Sequence, residues 1–210
     1  MINKISKRIS DGLCKSGLIP SEDSELYAYG FFVILSRLMF LVIAAIFGIL
    51  FGIVWESILF YIFFSMIRSY AGGIHASKEW ICVLLTSSLF IICIGTIKVL
   101  SLTNPAVFFH SLFLVSVIII FILSPLDTKE KPLSVKEKSL YRKKTHILLL
   151  AIIVFSFVMI ILNKLSFFYV GVISTVLESV LLLLGKTVPI VKKITYNNQT
   201  HKCFLFKKMK

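Results

Sequence analysis

The chain has 210 residues, of which 58% are hydrophobic and 16% are charged, and its mean hydropathy is +0.94. Soluble domains carry about 25% charged residues, so this composition excludes an ordinary soluble domain and predicts an integral membrane protein. The net charge of +13 does not indicate a nucleic-acid partner. The basic residues lie between and after apolar runs, where such residues orient a protein in the membrane or contact anionic lipid.

The first 30 residues precede the apolar runs. Ile2, Ile5 and Ile9 recur at helical spacing with basic residues between them, which predicts an amphipathic helix. Such a helix lies in the membrane interface or packs on the protein's own loops, and the pattern leaves both alternatives open.

Residues 31–185 contain six apolar runs and predict an all-α fold with about six transmembrane helices. The second run is short, because its strictly apolar part covers only residues 58–67, about half of the ~20 residues that a crossing needs. That helix either continues through Arg68 or returns to the side from which it came. We predict one membrane domain over residues 1–190, followed by a basic tail over residues 191–210.

The distribution of lysine and arginine predicts the orientation of these helices. Of the 23 basic residues, 20 fall in residues 1–30, 68–79, 124–144 and 185–210. Cytoplasmic segments are the ones enriched in lysine and arginine. The bias predicts that both termini are cytoplasmic, and it requires the second run to cross the membrane. It also predicts that residues 68–79 lie at the cytoplasmic face.

One polar stretch, RSYAGGIHASKEWIC at residues 68–82, interrupts the apolar pattern. The chain has no H-E-x-x-H motif, no G-x-S-x-G motif and no aspartate within a predicted transmembrane helix. Its four cysteines show no C-x-x-C spacing, so neither a zinc site nor a disulfide framework is predicted. We predict no metal and no cofactor. The chemistry that remains is a cysteine and histidine pair.

His75 and Cys82 cannot react together on one straight helix. Seven residues place them on the same face but ~10 Å apart along the axis, beyond the ~3 Å that a nucleophile and its base need. Gly72 and Gly73 permit a fold-back of the chain, and their amides are candidates to stabilise an oxyanion. Glu79 either orients the imidazole or faces water. A cysteine at a helix start is more often a small buried side chain, so both interpretations remain open here.

This stretch resembles the AgrB family, the accessory gene regulator membrane endopeptidases of Gram-positive quorum sensing. The residues that carry the resemblance are Arg68, Ala71-Gly72-Gly73, His75-Ala76 and Cys82. The resemblance covers residues 1 to about 190, and nothing carries over to the tail.

The resemblance implies a cysteine endopeptidase in the bacterial cell membrane, with Cys82 as nucleophile and His75 as general base. Its substrate would be an AgrD-like propeptide, whose acidic C-terminal tail is released and whose middle segment closes into a thiolactone or lactone. The family also implies a homodimer. The alternative is a non-catalytic membrane protein, either a transporter or a partner in peptide export.

The basic residues near the site are candidates for binding the acidic tail. Lys129 and Lys131, together with Arg68, carry the positive charge that such a tail would contact. The orientation of the protein in the membrane explains the same charges equally well, so the sequence leaves this choice open.

Overall fold

The structure of the protein is a computed structural model. It describes the backbone of residues 2–72, 79–103, 106–126 and 134–207, and the side chains of residues 2–72, 83–103, 108–126 and 134–187. Within these ranges the regular secondary structure is helical. A short 3₁₀ turn at Ser21–Asp23 is followed by the second of seven described α-helices, which are α1 (Ile2–Lys15), α2 (Ser24–Phe51), α3 (Val54–Ala71), α4 (Glu79–Thr103), α5 (Ala106–Leu123), α6 (Val135–Ile161) and α7 (Leu165–Lys207).

Four segments of the described helices are long and apolar enough to cross a membrane: Ser21–Phe51, Val83–Thr103, Val135–Ile161 and Leu165–Thr187. A shorter apolar segment, Phe108–Leu123, forms most of α5. These helices agree with the prediction of an all-α membrane protein. The six crossings and the cytoplasmic position of both termini stay predictions.

The helix α3 contains the short second apolar run. It continues through Arg68 and ends at Ala71, directly before Gly72. Its 18 residues give a length of about 27 Å, close to the ~30 Å of a membrane core. The helix therefore extends the run through Arg68 but stops before the glycines, and its crossing of the membrane stays a prediction.

The chain divides into two compact units, residues 1–58 and 59–210, with the division inside α3. In the first unit, α1 packs against α2 through small serine side chains rather than through its isoleucines. Ser6 and Ser10 are buried, and the Ser10 hydroxyl donates to the carbonyl of Ser24 at 2.6 Å. Ile5 and Ile9 stay exposed. The predicted helix is confirmed, and its apolar face is not the one that packs on α2.

A close turn joins α2 to α3 in this first unit. Gly52 ends α2 with φ +69°, which is the usual left-handed helix end. A Cβ on Gly48 would lie 2.9 Å from Val54 Cα and would also meet the side chain of Ser57. The Ser57 hydroxyl donates to the carbonyl of Ala44 at 2.9 Å. Small residues therefore allow the start of α3 to lie against the last turns of α2.

The helix α7 is the central element of residues 59–210. In the most apolar 18-residue stretch of Leu165–Thr187, 67% of the residues are buried, against 28% and 22% in the corresponding stretches of α4 and α6. It contacts α4, α5 and α6. Ser116 of α5 and Thr175 of α7 share a hydrogen bond of 3.0 Å. Gly171 leaves room for Ser156 of α6, as small residues do between membrane helices.

The C-terminal end of α3 belongs to the core of this second unit. One cluster of buried apolar residues joins α3, α5, α6 and α7, and its members are Ile67, Ala71, Ile120, Leu149, Ile152 and Leu182. Between helices in a membrane, close van der Waals packing of such side chains stabilises the contact. The residues that directly precede the predicted site therefore rest on a packed base.

The helix α6 begins ten residues before the predicted start of the fifth apolar run at residue 145. Ser134 and Glu137 form a reciprocal cap in which the Ser134 hydroxyl accepts from the Glu137 amide at 3.3 Å and the Glu137 carboxylate accepts from the Ser134 amide at 2.9 Å. A serine followed three residues later by glutamate is a helix-start pattern. The second half of the predicted polar loop at residues 124–144 is therefore helical.

Candidate active site

The C-terminal end of α3 is closed by its own arginine. Arg68 Nη1 donates to the Gly72 carbonyl at 2.9 Å, and the Gly72 amide donates to the Arg68 carbonyl at 3.3 Å. Gly72 has φ +82°, a backbone region that glycine enters at low cost. Charge strengthens the bond from the guanidinium. The direction of the Gly72 carbonyl is therefore fixed by a charged donor.

The segment that follows α5 covers this turn. The Leu126 amide donates to the Ala71 carbonyl at 2.8 Å. A Cβ on Gly72 would lie 2.8 Å from the Leu126 carbonyl oxygen, closer than a carbon and a backbone oxygen can approach. Arg142 of α6 holds the same segment, because its Nε donates to the Ser124 carbonyl at 3.3 Å. A side chain at position 72 is excluded both by φ and by Leu126.

The contact between Gly72 and Leu126 lies directly before two segments that are outside the described residues, 73–78 and 127–133. Gly72 is the last described residue before the first segment, and Leu126 is the last before the second. Four predicted site residues lie in these segments, outside the described residues: Gly73, His75, Lys129 and Lys131. The two segments thus leave the described structure at neighbouring points.

Cys82 and Glu79 lie in the first described turn of α4, which is described from Glu79 onward. The side chains of both residues lie outside the described ones. The pairing of Cys82 with His75 and the role of Glu79 therefore stay predictions.

An aromatic and basic contact joins the last turn of α3 to the first half of α6. The rings of Tyr70 and Tyr141 meet edge to face with centroids 5.7 Å apart. Lys144 Nζ lies 4.9 Å from the centroid of the Tyr70 ring, within the distance of a cation–π contact. Together with Arg142, these residues hold α6 against the end of α3.

An acidic residue, Glu178, lies beside Arg68 of this turn. It lies in α7, its side chain is fully buried, and its Oε1 is 3.9 Å from Arg68 Nη1. Among the described residues, neither of its carboxyl oxygens has a hydrogen-bond partner. The sequence reading considered only aspartates inside the helices and missed this residue. An ionisable side chain within an apolar run is itself a functional signal, and it could have identified Glu178.

The described residues contain no group of three or more His, Cys, Asp or Glu side chains that could hold a metal ion. Cys14 and Cys93, whose side chains are described, are free thiols.

Comparison with known proteins places the chain near one family. The family model described as AgrB, Accessory gene regulator B, matches residues 3–182. An AgrB-like protein of Clostridium perfringens strain SM101 is 31% identical over 161 residues, which cover 74% of this chain and 75% of the relative. The AgrB-like protein 2 of Clostridium perfringens strain 13 is 30% identical with the same coverage. No solved structure matches the chain.

Proposed function

Because the chain belongs to the accessory gene regulator B family, we propose that it is a membrane cysteine endopeptidase that cleaves the C-terminal tail from a small signalling propeptide. Family membership supports the general role in quorum-sensing propeptide processing. The finer assignment makes Cys82 the nucleophile and His75 its general base.

The proposed reaction has two acyl-transfer steps. His75 accepts the thiol proton of Cys82, and the thiolate attacks the carbonyl carbon of the scissile peptide bond. When the tetrahedral intermediate collapses, His75 donates that proton to the departing nitrogen, and the tail leaves with a free amino group. A cysteine or serine of the propeptide then attacks the thioester on Cys82 and closes the ring, and its proton passes through His75 to the Cys82 sulfur.

The observation that carries the proposal is the turn at Gly72. The reaction needs His75 away from the axis of the Cys82 helix, and α3 ends at Gly72 in a left-handed conformation, three residues before His75.

The oxyanion donors follow from the hydrogen bonds at this turn. The Gly72 amide already donates to the Arg68 carbonyl, so the proposal gives Gly72 the role of shaping the loop. The amide of Gly73 and those of the first turn of α4 are the proposed oxyanion donors.

The proposed active site lies at the cytoplasmic face of the membrane, where Cys82 stays reduced. The bias of the basic residues toward the proposed cytoplasmic segments supports this orientation. The predicted homodimer and the contact with anionic lipid stay predictions.

The basic loop is proposed to bind the acidic tail of the propeptide. Lys129 is three residues from Leu126, and His75 is three residues from Gly72, so each lies within about 11 Å of its anchor along the chain. Leu126 and Gly72 are in contact. This reach supports a position of Lys129 and Lys131 beside the reacting cysteine, as a substrate with a tail directly after the scissile bond requires.

Neutralising the basic loop is expected to weaken substrate binding rather than chemistry. The variant Lys129→Gln/Lys131→Gln should raise KM by roughly tenfold at low salt, which corresponds to about 1.4 kcal/mol, with little change in kcat. At high salt the KM of the original protein should rise toward that of the variant, because ions screen the attraction between the basic loop and the acidic tail. Cleavage rates measured at two salt concentrations test this.

The matched control for the loop is Lys136→Gln/Lys138→Gln, which removes the same charge from the exposed start of α6. It should leave KM unchanged. An equal rise of KM in both variants would mean that the charges act only through membrane orientation or through the general field.

The test of the proposed function is the acyl-enzyme. A propeptide whose ring-closing cysteine or serine is replaced by alanine cannot resolve the thioester. The acyl-enzyme should therefore accumulate on Cys82 and be found by mass spectrometry. The acyl-enzyme should form when the propeptide is added to inside-out vesicles, whose cytoplasmic face is outward, and not with right-side-out vesicles. Cleavage of the propeptide by the protein with no acyl group at Cys82 would refute the mechanism.

A further inference from the structure

Glu178 is a carboxyl group in an unfavourable place. It is fully buried in the central helix α7, and no described residue gives either of its oxygens a hydrogen bond. Burying an ionised carboxylate costs several kcal/mol unless a partner compensates. The described cation beside it is Arg68, at 3.9 Å. The neighbouring polar residues do not compensate it, because Ser174, Thr175 and Ser179 each donate to carbonyls of α7 itself.

Arg68 connects the carboxyl group of Glu178 to the candidate active site. Its Nη1 lies 3.9 Å from Glu178 Oε1 and donates to the Gly72 carbonyl at 2.9 Å. The attraction to Glu178 therefore restricts the guanidinium while its hydrogen bond goes to the turn. The guanidinium remains charged at all physiological pH values, and its side chain is only 19% exposed.

We propose that Glu178 is a positioning residue that acts through Arg68 on the Gly72 turn, and thereby sets the geometry of the loop that carries His75. The inference rests on the proposed pairing of His75 with Cys82. In this arrangement, the carboxylate of Glu178 attracts the Arg68 guanidinium and holds it in place. The guanidinium donates to the Gly72 carbonyl and so orients the turn from which the loop starts. Arg68 thus serves the loop through its internal contacts, a role apart from the contact with the acidic tail for which the sequence makes it a candidate.

The reactivity of the Cys82 thiol measures this effect without any propeptide. In the full chain with Cys14→Ser, Cys93→Ala and Cys203→Ser, held in lipid nanodiscs, Cys82 is the single thiol. Its alkylation by iodoacetamide is followed by mass spectrometry between pH 5 and pH 9. An isolated thiol reacts with a midpoint near about 8.5. A paired imidazolium lowers that midpoint, so the reference protein should react at lower pH.

Glu178→Gln keeps the shape of the side chain and removes its charge. It is expected to raise the alkylation midpoint by about one pH unit, which slows alkylation at pH 7 by roughly tenfold. Glu178→Asp keeps a carboxylate and should retain part of the lowered midpoint. The matched control is Ser174→Ala, which alters another buried polar residue of α7 one turn earlier. This control should leave the midpoint in place.

The double variant Arg68→Gln/Glu178→Gln tests the route. If Glu178 acts through Arg68, the double variant shifts the midpoint no further than the larger single shift, since coupled residues are not additive. Additive shifts would overturn the route through Arg68. An unchanged midpoint in Glu178→Gln, or an equal shift in Ser174→Ala, would overturn the positioning role.

His75→Ala in the same single-thiol protein separates this inference from the proposed function. If His75→Ala raises the midpoint and Glu178→Gln does not, the Cys82 and His75 pair stands and only the positioning role fails. If His75→Ala leaves the midpoint unchanged, the pair itself fails and the inference fails with it.

Discussion

Replacing Cys82 with alanine is expected to abolish propeptide cleavage, and His75→Ala is expected to have the same effect. Loss of a nucleophile or of its general base lowers turnover by several orders of magnitude, on the order of 10⁴-fold or more. The double variant should be no worse than either single variant, because the two residues act as one unit. Cleavage of an epitope-tagged AgrD-like propeptide, followed by gel shift in membranes that contain equal amounts of each variant, measures the loss.

Cys93→Ala is the matched control for this experiment. Cys93 lies in the same helix, α4, and its side chain is buried. Removing its thiol should leave cleavage intact. Full cleavage by Cys82→Ala would leave a transporter or an export partner as the remaining function, since neither needs a nucleophile at that position.

Gly72→Ala is expected to cost at least about tenfold in cleavage, although the residue does no chemistry. A left-handed conformation costs an ordinary residue roughly 1–2 kcal/mol, which alone shifts the population of the turn by about tenfold. The added Cβ would also lie 2.8 Å from the Leu126 carbonyl oxygen, so either the turn or the Leu126 segment must move. Both movements displace a loop that the proposed reaction needs. The measurement is the cleavage rate at equal protein level.

Gly52→Ala separates backbone strain from the role at the site. Gly52 has φ +69°, close to the +82° of Gly72, but nothing lies within 4 Å of an added Cβ. Gly52→Ala should lower the thermal stability of the protein in detergent, because it introduces a similar backbone strain. It should retain cleavage. Unchanged cleavage by Gly72→Ala, or an equal loss with Gly52→Ala, would show that the Gly72 turn has no special part in activity.

The helices were predictable because each one is encoded within its own run of residues. Apolar runs long enough to cross a membrane satisfy their backbone hydrogen bonds internally, and α2, α4 and α5 lie where the sequence places them. Two helix boundaries differ strongly from the apolar runs, because α7 continues to Lys207, beyond the runs at residues 31–185, and α6 begins at Val135. The cap of Ser134 and Glu137 starts α6 early, although its sequence pattern is visible.

The amphipathic pattern of α1 predicted the helix but not its contact. Hydrophobic spacing identifies which face is apolar, and the isoleucines form that face. The contact with α2 uses Ser6 and Ser10 instead, because small side chains allow two helices to approach closely. Periodicity reports the character of a face, whereas its partner depends on the shape of the second helix.

At the candidate site, the sequence alone determined the types of residue and the need for a bend. The spacing of His75 and Cys82 excludes a straight helix between them, and the paired glycines offer the remedy. The fold then showed that the chain turns at Gly72, and why no other residue fits there. Gly72 has positive φ, Arg68 holds its carbonyl, and the Leu126 backbone fills the space of its side chain.

The partners of that turn come from distant parts of the chain, and this is why only the tertiary structure reveals them. Leu126 follows α5 and Glu178 lies in α7. Helical periodicity describes neighbours three or four residues apart, so it contains no information about which helices meet. The charge of Glu178 was visible in its apolar run. Its contact with Arg68 arises only because the packing of α7 against the other helices brings that carboxyl to the end of α3.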